Sequence, residues 1–137
     1  MKEVFALQGI GNSGKTDTIK KVYSELLNKY PHANVQILSK RSIDIKAIIS
    51  NVNGYKVGIE SQGDPCSRLQ ASLQDFENSN CDIIICATRT SGMTVNWVNE
   101  LSETYKINFI PQQISSQQNQ QRDNLAMARN IIKKAKL

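Results

Sequence analysis

The sequence predicts an α/β protein: a three-layer sandwich whose mostly parallel sheet carries helices on both faces and one antiparallel hairpin at its edge. Three observations predict it. Short apolar runs of β type alternate with stretches of helical spacing along the chain. One such run, "CDIIICA" at 81–87, has no polar alternation, as expected of a central strand buried on both faces. An Asn53-Gly54 pair joins two other β-type runs, and both residues tolerate the positive φ of a tight hairpin turn.

The elements follow in order. Lys2 to Gln8 reads as a strand through Val4, Phe5, Ala6 and Leu7, ended by Gly9. Gly14 to Lys29 reads as a helix, with Ile19, Val22, Tyr23, Leu26 and Leu27 at helical spacing and Pro31 halting the pattern. Val35 to Leu38 is a second short strand. Residues 44–52 and 55–60 pair as the hairpin, a helix over 42–50 being the competing reading. Asp64-Pro65 resembles an N-cap with proline at the first helical position, and Leu69, Leu73 and Phe76 mark that helix's buried face. After the 81–87 strand, Thr94 to Tyr105 reads as a helix and Ile107 to Ile110 as a strand stopped by Pro111. A glutamine-rich polar stretch, 112–124, leads into a last helix through Leu125, Ala128, Ile131, Ile132 and Ala135. Neither an internal repeat nor a domain linker interrupts the 137 residues, so a single domain over 1–137 is expected.

Composition narrows the function classes. Hydrophobic residues at 39% and charged residues at 21% are ordinary for a globular protein. No apolar stretch approaches the ~20 residues of a membrane span, and the first residues lack a signal pattern, so a cytoplasmic, membrane-free protein is expected. The net charge of +5 is scattered over doublets such as Lys20-Lys21 and Lys133-Lys134, and only 6% of residues are aromatic. That disfavours a nucleic-acid surface, which needs a focused basic stripe with stacking platforms. Cys66, Cys81 and Cys86 form no paired spacing and His32 is the lone histidine, so free, buried thiols are expected and a Cys/His zinc site is not.

The chemistry concentrates between the first strand and the first helix. Gly9-Ile10-Gly11-Asn12-Ser13-Gly14-Lys15-Thr16 matches G-x-x-x-x-G-K-S/T in full, with Asp17 following. Glycines let the backbone bend and turn successive N–H groups inward with no Cβ in the way. The helix adds its unsatisfied N–H groups and the positive end of its dipole. Lys15 would contact the outer phosphates of a triphosphate and the Thr16 hydroxyl would bind Mg²⁺.

This stretch resembles the P-loop NTPase superfamily, by motif over residues 3–29 and by architecture beyond. The resemblance implies the P-loop NTPase fold, a nucleoside triphosphate, and a carboxylate near the metal on a strand beside the first. "YKVGIE" supplies the candidate, Glu60. Its continuation "ESQGD" is similar to the D-x-x-G loop of Ras-like GTP-binding proteins, with Glu60 in place of aspartate and Gly63 matching the glycine. The likeness implies that Glu60 acts through a Mg²⁺-bound water and that the Gly63 N–H faces the terminal phosphate. Being one methylene longer, Glu60 alternatively orients the attacking water as a base, leaving Asp64 for the metal.

Where those relatives carry N-K-x-D to read guanine, this chain has Ala87-Thr88-Arg89-Thr90, so ATP becomes the default nucleotide. Arg89 sits just past a central strand, where ligands collect in open α/β sheets, and is a candidate phosphate or substrate contact. In related P-loop folds the loop after the last strand lies near the base, so the resemblance makes Gln112 or Gln113 a candidate base contact, a polar helix start being the competing reading. The leading expectation is an Mg²⁺-dependent ATP hydrolase whose ESQGD loop senses the terminal phosphate and signals to a protein partner. A small-molecule or nucleotide kinase is the alternative, with Lys40, Arg41 and Arg68 lining a substrate pocket; only Lys106 separates Tyr105 from Ile107, so no arginine-rich lid fits there. A non-catalytic module stabilised by nucleotide is the third reading.

Overall fold

The computed structural model describes residues 2–11, 13–41 and 44–137, with the side chains of Lys40 and Arg41 outside the description. The chain runs β1 (Glu3–Gln8), α1 (Lys15–Lys29), β2 (Asn34–Arg41), β3 (Asp44–Val52), β4 (Tyr55–Glu60), α2 (Leu69–Asn78), β5 (Ile83–Thr88), α3 (Met93–Asn99), β6 (Lys106–Pro111) and α4 (Gln120–Lys134). Six strands form one sheet in the order β2-β3-β4-β5-β1-β6. β4, β5, β1 and β6 are mutually parallel, whereas β2–β3 and β3–β4 are antiparallel. The predicted three-layer α/β architecture is what the chain adopts.

Alternation along the strands sends side chains to two cores. On one face Phe5, Leu7, Ile59 and Ile85 meet Ile19, Val22 and Leu26 of α1 and Ala128 and Ile131 of α4. On the other, Val4, Ala6, Ile84 and Cys86 meet Leu69, Leu73 and Phe76 of α2 and Val98 of α3. β5 is buried at all six residues, as a strand with helices over both faces must be. Close packing reaches the backbone at Gly58 of β4, where a Cβ would lie 2.6 Å from the Phe76 ring. No helix among the described residues is long and apolar enough to cross a membrane.

Several expectations need correction. The hairpin around Asn53-Gly54 forms as predicted, but β2 pairs outside it, so the antiparallel part spans three strands and β2 is the edge. α2 begins at Leu69, not at Asp64-Pro65, and its N-cap position is Arg68. The intervening residues are held as a loop by side chains that compete with helix bonds. The Ser67 hydroxyl donates to the Asp64 carbonyl (2.6 Å), and the Arg68 N–H donates to Gln62 Oε1 (3.3 Å). α3 ends at Asn99, and the chain reaches Tyr105 through turns whose polar residues face solvent while Leu101 and Tyr105 stay buried. α4 takes in the end of the glutamine-rich stretch, starting at Gln120. The strand carrying Glu60 does not lie beside β1; β5 stands between them.

Candidate functional site

The parallel strands end on the same edge of the sheet, and the loops after β1 and β4 open there into a cleft of about 720 Å³. One wall is the turn and first helical residues from Gly11 to Asp17; the other is formed by Asp44, Ser61, Gln62, Gly63 and Asp64. Asn12, part of the predicted binding turn, lies outside the described residues.

The turn leaves β1 with the Gly9 N–H donating to the Thr88 carbonyl (3.1 Å). Gly14 then adopts φ +91°, a left-handed conformation that glycine takes at no steric cost, and α1 starts at the next residue. Space is as demanding as torsion. A Cβ on Gly9 would sit 2.6 Å from Ser13 Oγ, and one on Gly11 would sit 3.1 Å from the Arg89 guanidinium. Among the described residues, no hydrogen bond takes the N–H groups of Ser13, Gly14 or Lys15. The buried Ser13 hydroxyl also lacks a partner there. Unsatisfied donors at a helix start are the makings of an anion site.

Lys15 is 7% exposed, yet among the described residues no carboxylate pairs with it. Its ammonium donates instead to the carbonyl oxygens of Gly9 and Thr88, the latter at 2.9 Å. Burial holds its pKa below the ordinary lysine value; Asp64 acts in the opposite direction and Arg89 in the same one. A buried cation with only neutral partners has spare attraction for an anion.

Arg89 and Asp64 meet across the mouth of the turn, Nε to Oδ1 at 2.8 Å, with 41% and 60% of their side chains exposed. An ion pair so exposed is worth at most about 1 kcal/mol, so a ligand can open it. Thr16 and Asp64 both line the cleft, and Mg²⁺ is commonly held by one or two such groups together with phosphate oxygens. Among the described residues no three His, Cys, Asp or Glu side chains gather into a metal-binding group.

Glu60 is placed differently from the expectation. It is fully buried and does not line the cleft. Its carboxylate accepts from Arg68 Nε (2.7 Å) and Nη2 (3.1 Å), from the Ser72 hydroxyl (2.5 Å) and from the Gln62 N–H (3.1 Å). Four donors leave it committed. Arg68 also reaches Ser39 of β2 at 2.8 Å, so Glu60 anchors the cleft wall to the sheet edge. Gly63 is buried, and a Cβ there would lie 2.6 Å from the Ala87 carbonyl.

No protein-family model matches the chain, and no curated protein matches it by sequence. Among solved structures, the chain is similar to the solution structure of a human cancer-related nucleoside triphosphatase. The identity is 12%, the TM-score is 0.44, and the likeness covers 96% of this chain and 97% of that one.

One residue of the cleft carries no signal in the sequence. Asp44 faces the cleft, its Oδ1 accepting from the Ser61 hydroxyl (3.2 Å) and its Oδ2 from Gln62 Nε2 (3.1 Å). Only the β3–β4 register brings it opposite Glu60's strand, and no local pattern announces that. Of the two glutamines considered for the base, Gln112 has its side chain bonded to Ser13 and Asn124 with the Thr18 hydroxyl at 3.3 Å, and Gln113 is exposed. Cys66 is exposed at the cleft rim, contrary to the buried-thiol expectation, whereas Cys81 and Cys86 are buried. Burial pushes the Cys86 thiol up to about 12, with Glu60 adding to the effect, and keeps it protonated.

Proposed function

We propose that this chain binds a nucleoside triphosphate in the cleft between the glycine turn and the 61–68 loop and hydrolyses it with Mg²⁺. The observation that carries the reading is Lys15: a buried ammonium that, among the described residues, is bonded only to carbonyl oxygens, beside a row of N–H groups that have no partner among those residues. ATP is the default nucleotide, because the end of β5 has threonine and arginine where a guanine reader would need asparagine and aspartate. A cytoplasmic setting, where ATP is abundant, goes with that reading.

The chain's own residues would act by positioning and by charge neutralisation. The amides of Ser13, Gly14 and Lys15 cradle phosphate oxygens, with Gly9 leaving room for the Ser13 and Lys15 side chains and Gly11 for the Arg89 guanidinium, and Lys15 exchanges its carbonyl partners for the outer phosphates. Arg89 leaves Asp64 for the same anion, which frees Asp64. Mg²⁺ would be held by the Thr16 hydroxyl and Asp64 and would supply further charge neutralisation. Glu60 holds the wall loop through Arg68 and Ser72, and Gly63 lets that loop lie against β5. The 61–68 loop would thus respond to the terminal phosphate and pass the response to a protein partner.

A second reading, phosphoryl transfer to a small molecule, is favoured by one feature: the cleft runs on past the glycine turn to Asp44 and Cys66. Product analysis separates the two, because ADP and free phosphate without an added acceptor mean hydrolysis.

Thermal melting with ATP and Mg²⁺ tests the site. Ligand at a hundredfold its Kd stabilises the native state by about 2.7 kcal/mol. The expected result is that Lys15→Ala melts cooperatively but loses this shift. A full shift in that variant refutes the role given to Lys15. Nucleotide that stabilises the wild type yet survives unhydrolysed for hours would leave a binding module in place of an enzyme.

A further inference from the structure

Against the glycine turn lies a set of amide side chains that the proposed chemistry does not use; Asp17 and Gln120 at its border line the cleft, whereas Gln112 and Asn124 do not. Asn124 of α4 is 1% exposed. Its Nδ2 donates to Asp17 Oδ2 at 2.9 Å, and its Oδ1 accepts from Gln112 Nε2 at 3.0 Å. Gln112 Nε2 also donates to the Ser13 carbonyl at 3.2 Å, while the single Thr18 hydroxyl proton is shared between the Gly14 carbonyl at 3.0 Å and Gln112 Oε1 at 3.3 Å. The Gln112 backbone is pinned as well, its N–H donating to the Gln8 carbonyl of β1 at 2.7 Å. Gly14 presses on the same group: a Cβ there would meet Asn124 and Gln120 amide atoms at 3.0 Å.

This chain of bonds has a direction, and Asp17 sets it. An ionised carboxylate only accepts, so Asn124 must turn its NH₂ toward Asp17 and its oxygen toward Gln112. Gln112 must then present its own NH₂, which is what reaches the Ser13 carbonyl. The Ser13–Gly14 peptide is trans, so its C=O and N–H point opposite ways. Fixing the carbonyl on Gln112 turns the Gly14 N–H away from it, toward the cleft that Ser13 and Gly14 line.

We propose that Gln112 and Asn124 are positioning residues, whose paired amides hold the Ser13–Gly14 peptide plane so that the Gly14 N–H faces the phosphate in the cleft. The inference deepens the triphosphate reading and rests on it. It also assigns a task to the polar stretch after β6: preorganising the anion cradle. An unclamped peptide would pay for its own ordering each time ligand binds.

The test is titration of inorganic pyrophosphate and of ATP with Mg²⁺, by calorimetry below the melting temperature. Wild type, Gln112→Met and Gln113→Met are compared. Gln112→Met keeps the length and apolar stem while removing the donor; Gln113 is the exposed neighbour. Losing one well-aimed hydrogen bond to a charged group weakens binding by roughly ten- to a hundredfold. That loss is expected for both ligands in Gln112→Met and not in Gln113→Met. A residue that serves stability alone would lower Tm and leave Kd unmoved, and that result overturns the clamp. Wild-type protein that binds neither ligand overturns the triphosphate reading and the clamp together, whereas equal binding by wild type and Gln112→Met overturns the clamp alone.

Discussion

Glu60 shows how much one side chain's surroundings decide. As a residue type after a strand it fits a metal ligand or a base, but with four donors around its buried carboxylate it works as the keystone of a loop. The prediction is specific. Glu60→Gln retains shape but leaves the Arg68 guanidinium without its two-pronged partner, and urea melts should show a loss of about 2–3 kcal/mol. Arg68 is partly exposed, which keeps the loss below the deepest cases. Unchanged stability with abolished turnover would return Glu60 to a direct catalytic role. Lys15, by contrast, stands out in the sequence through its place in the glycine turn, because that turn is built from residues adjacent in sequence.

At the scale of elements, the decisive contact is between the 61–68 loop and β5. Gly63 matches a position whose N–H would face a phosphate, yet its place in the packing is a tight approach to the Ala87 backbone. Gly63→Ala therefore forces the loop off β5. The expected cost is about 1–3 kcal/mol in a thermal or urea melt, as for other overpacked sites. A variant of native stability would mean that the glycine serves ligand contact alone. The start of α2 was misread for a related reason. Asp64-Pro65 has the local chemistry of a helix start, but Asp64 pairs with Arg89 beyond the end of β5 and Gln62 accepts from the Arg68 N–H. Tertiary partners outbid a local cap. The hairpin turn at Asn53-Gly54 met no such competition and was readable directly.

Across the whole molecule, the sheet has two unlike borders. β6 carries a buried neighbour in β1, and its following segment folds back onto the glycine turn. β2 packs chiefly on β3 and presents Val35, Ile37 and Leu38 to solvent, with Ile37 47% exposed. An apolar edge strand is a template for unwanted strand pairing. Ile37→Lys should reduce concentration-dependent self-association in light scattering while shifting stability by no more than about 0.5 kcal/mol. A larger loss of stability would show that β2 needs its isoleucine for the fold.

Taken alone, the sequence determined the alternation of strands and helices, the hairpin and the glycine turn, because each depends on residues within a few positions of one another. Strand order, the placement of β5 between β1 and β4, the capture of Glu60 by Arg68 and the Gln112–Asn124 support for Ser13 were decided only in three dimensions. Those features join residues as far apart as Ser13 and Gln112, 99 positions along the chain. They arise from the burial of both sheet faces and the satisfaction of buried polar groups, which act on the folded whole and leave no periodic trace in the sequence.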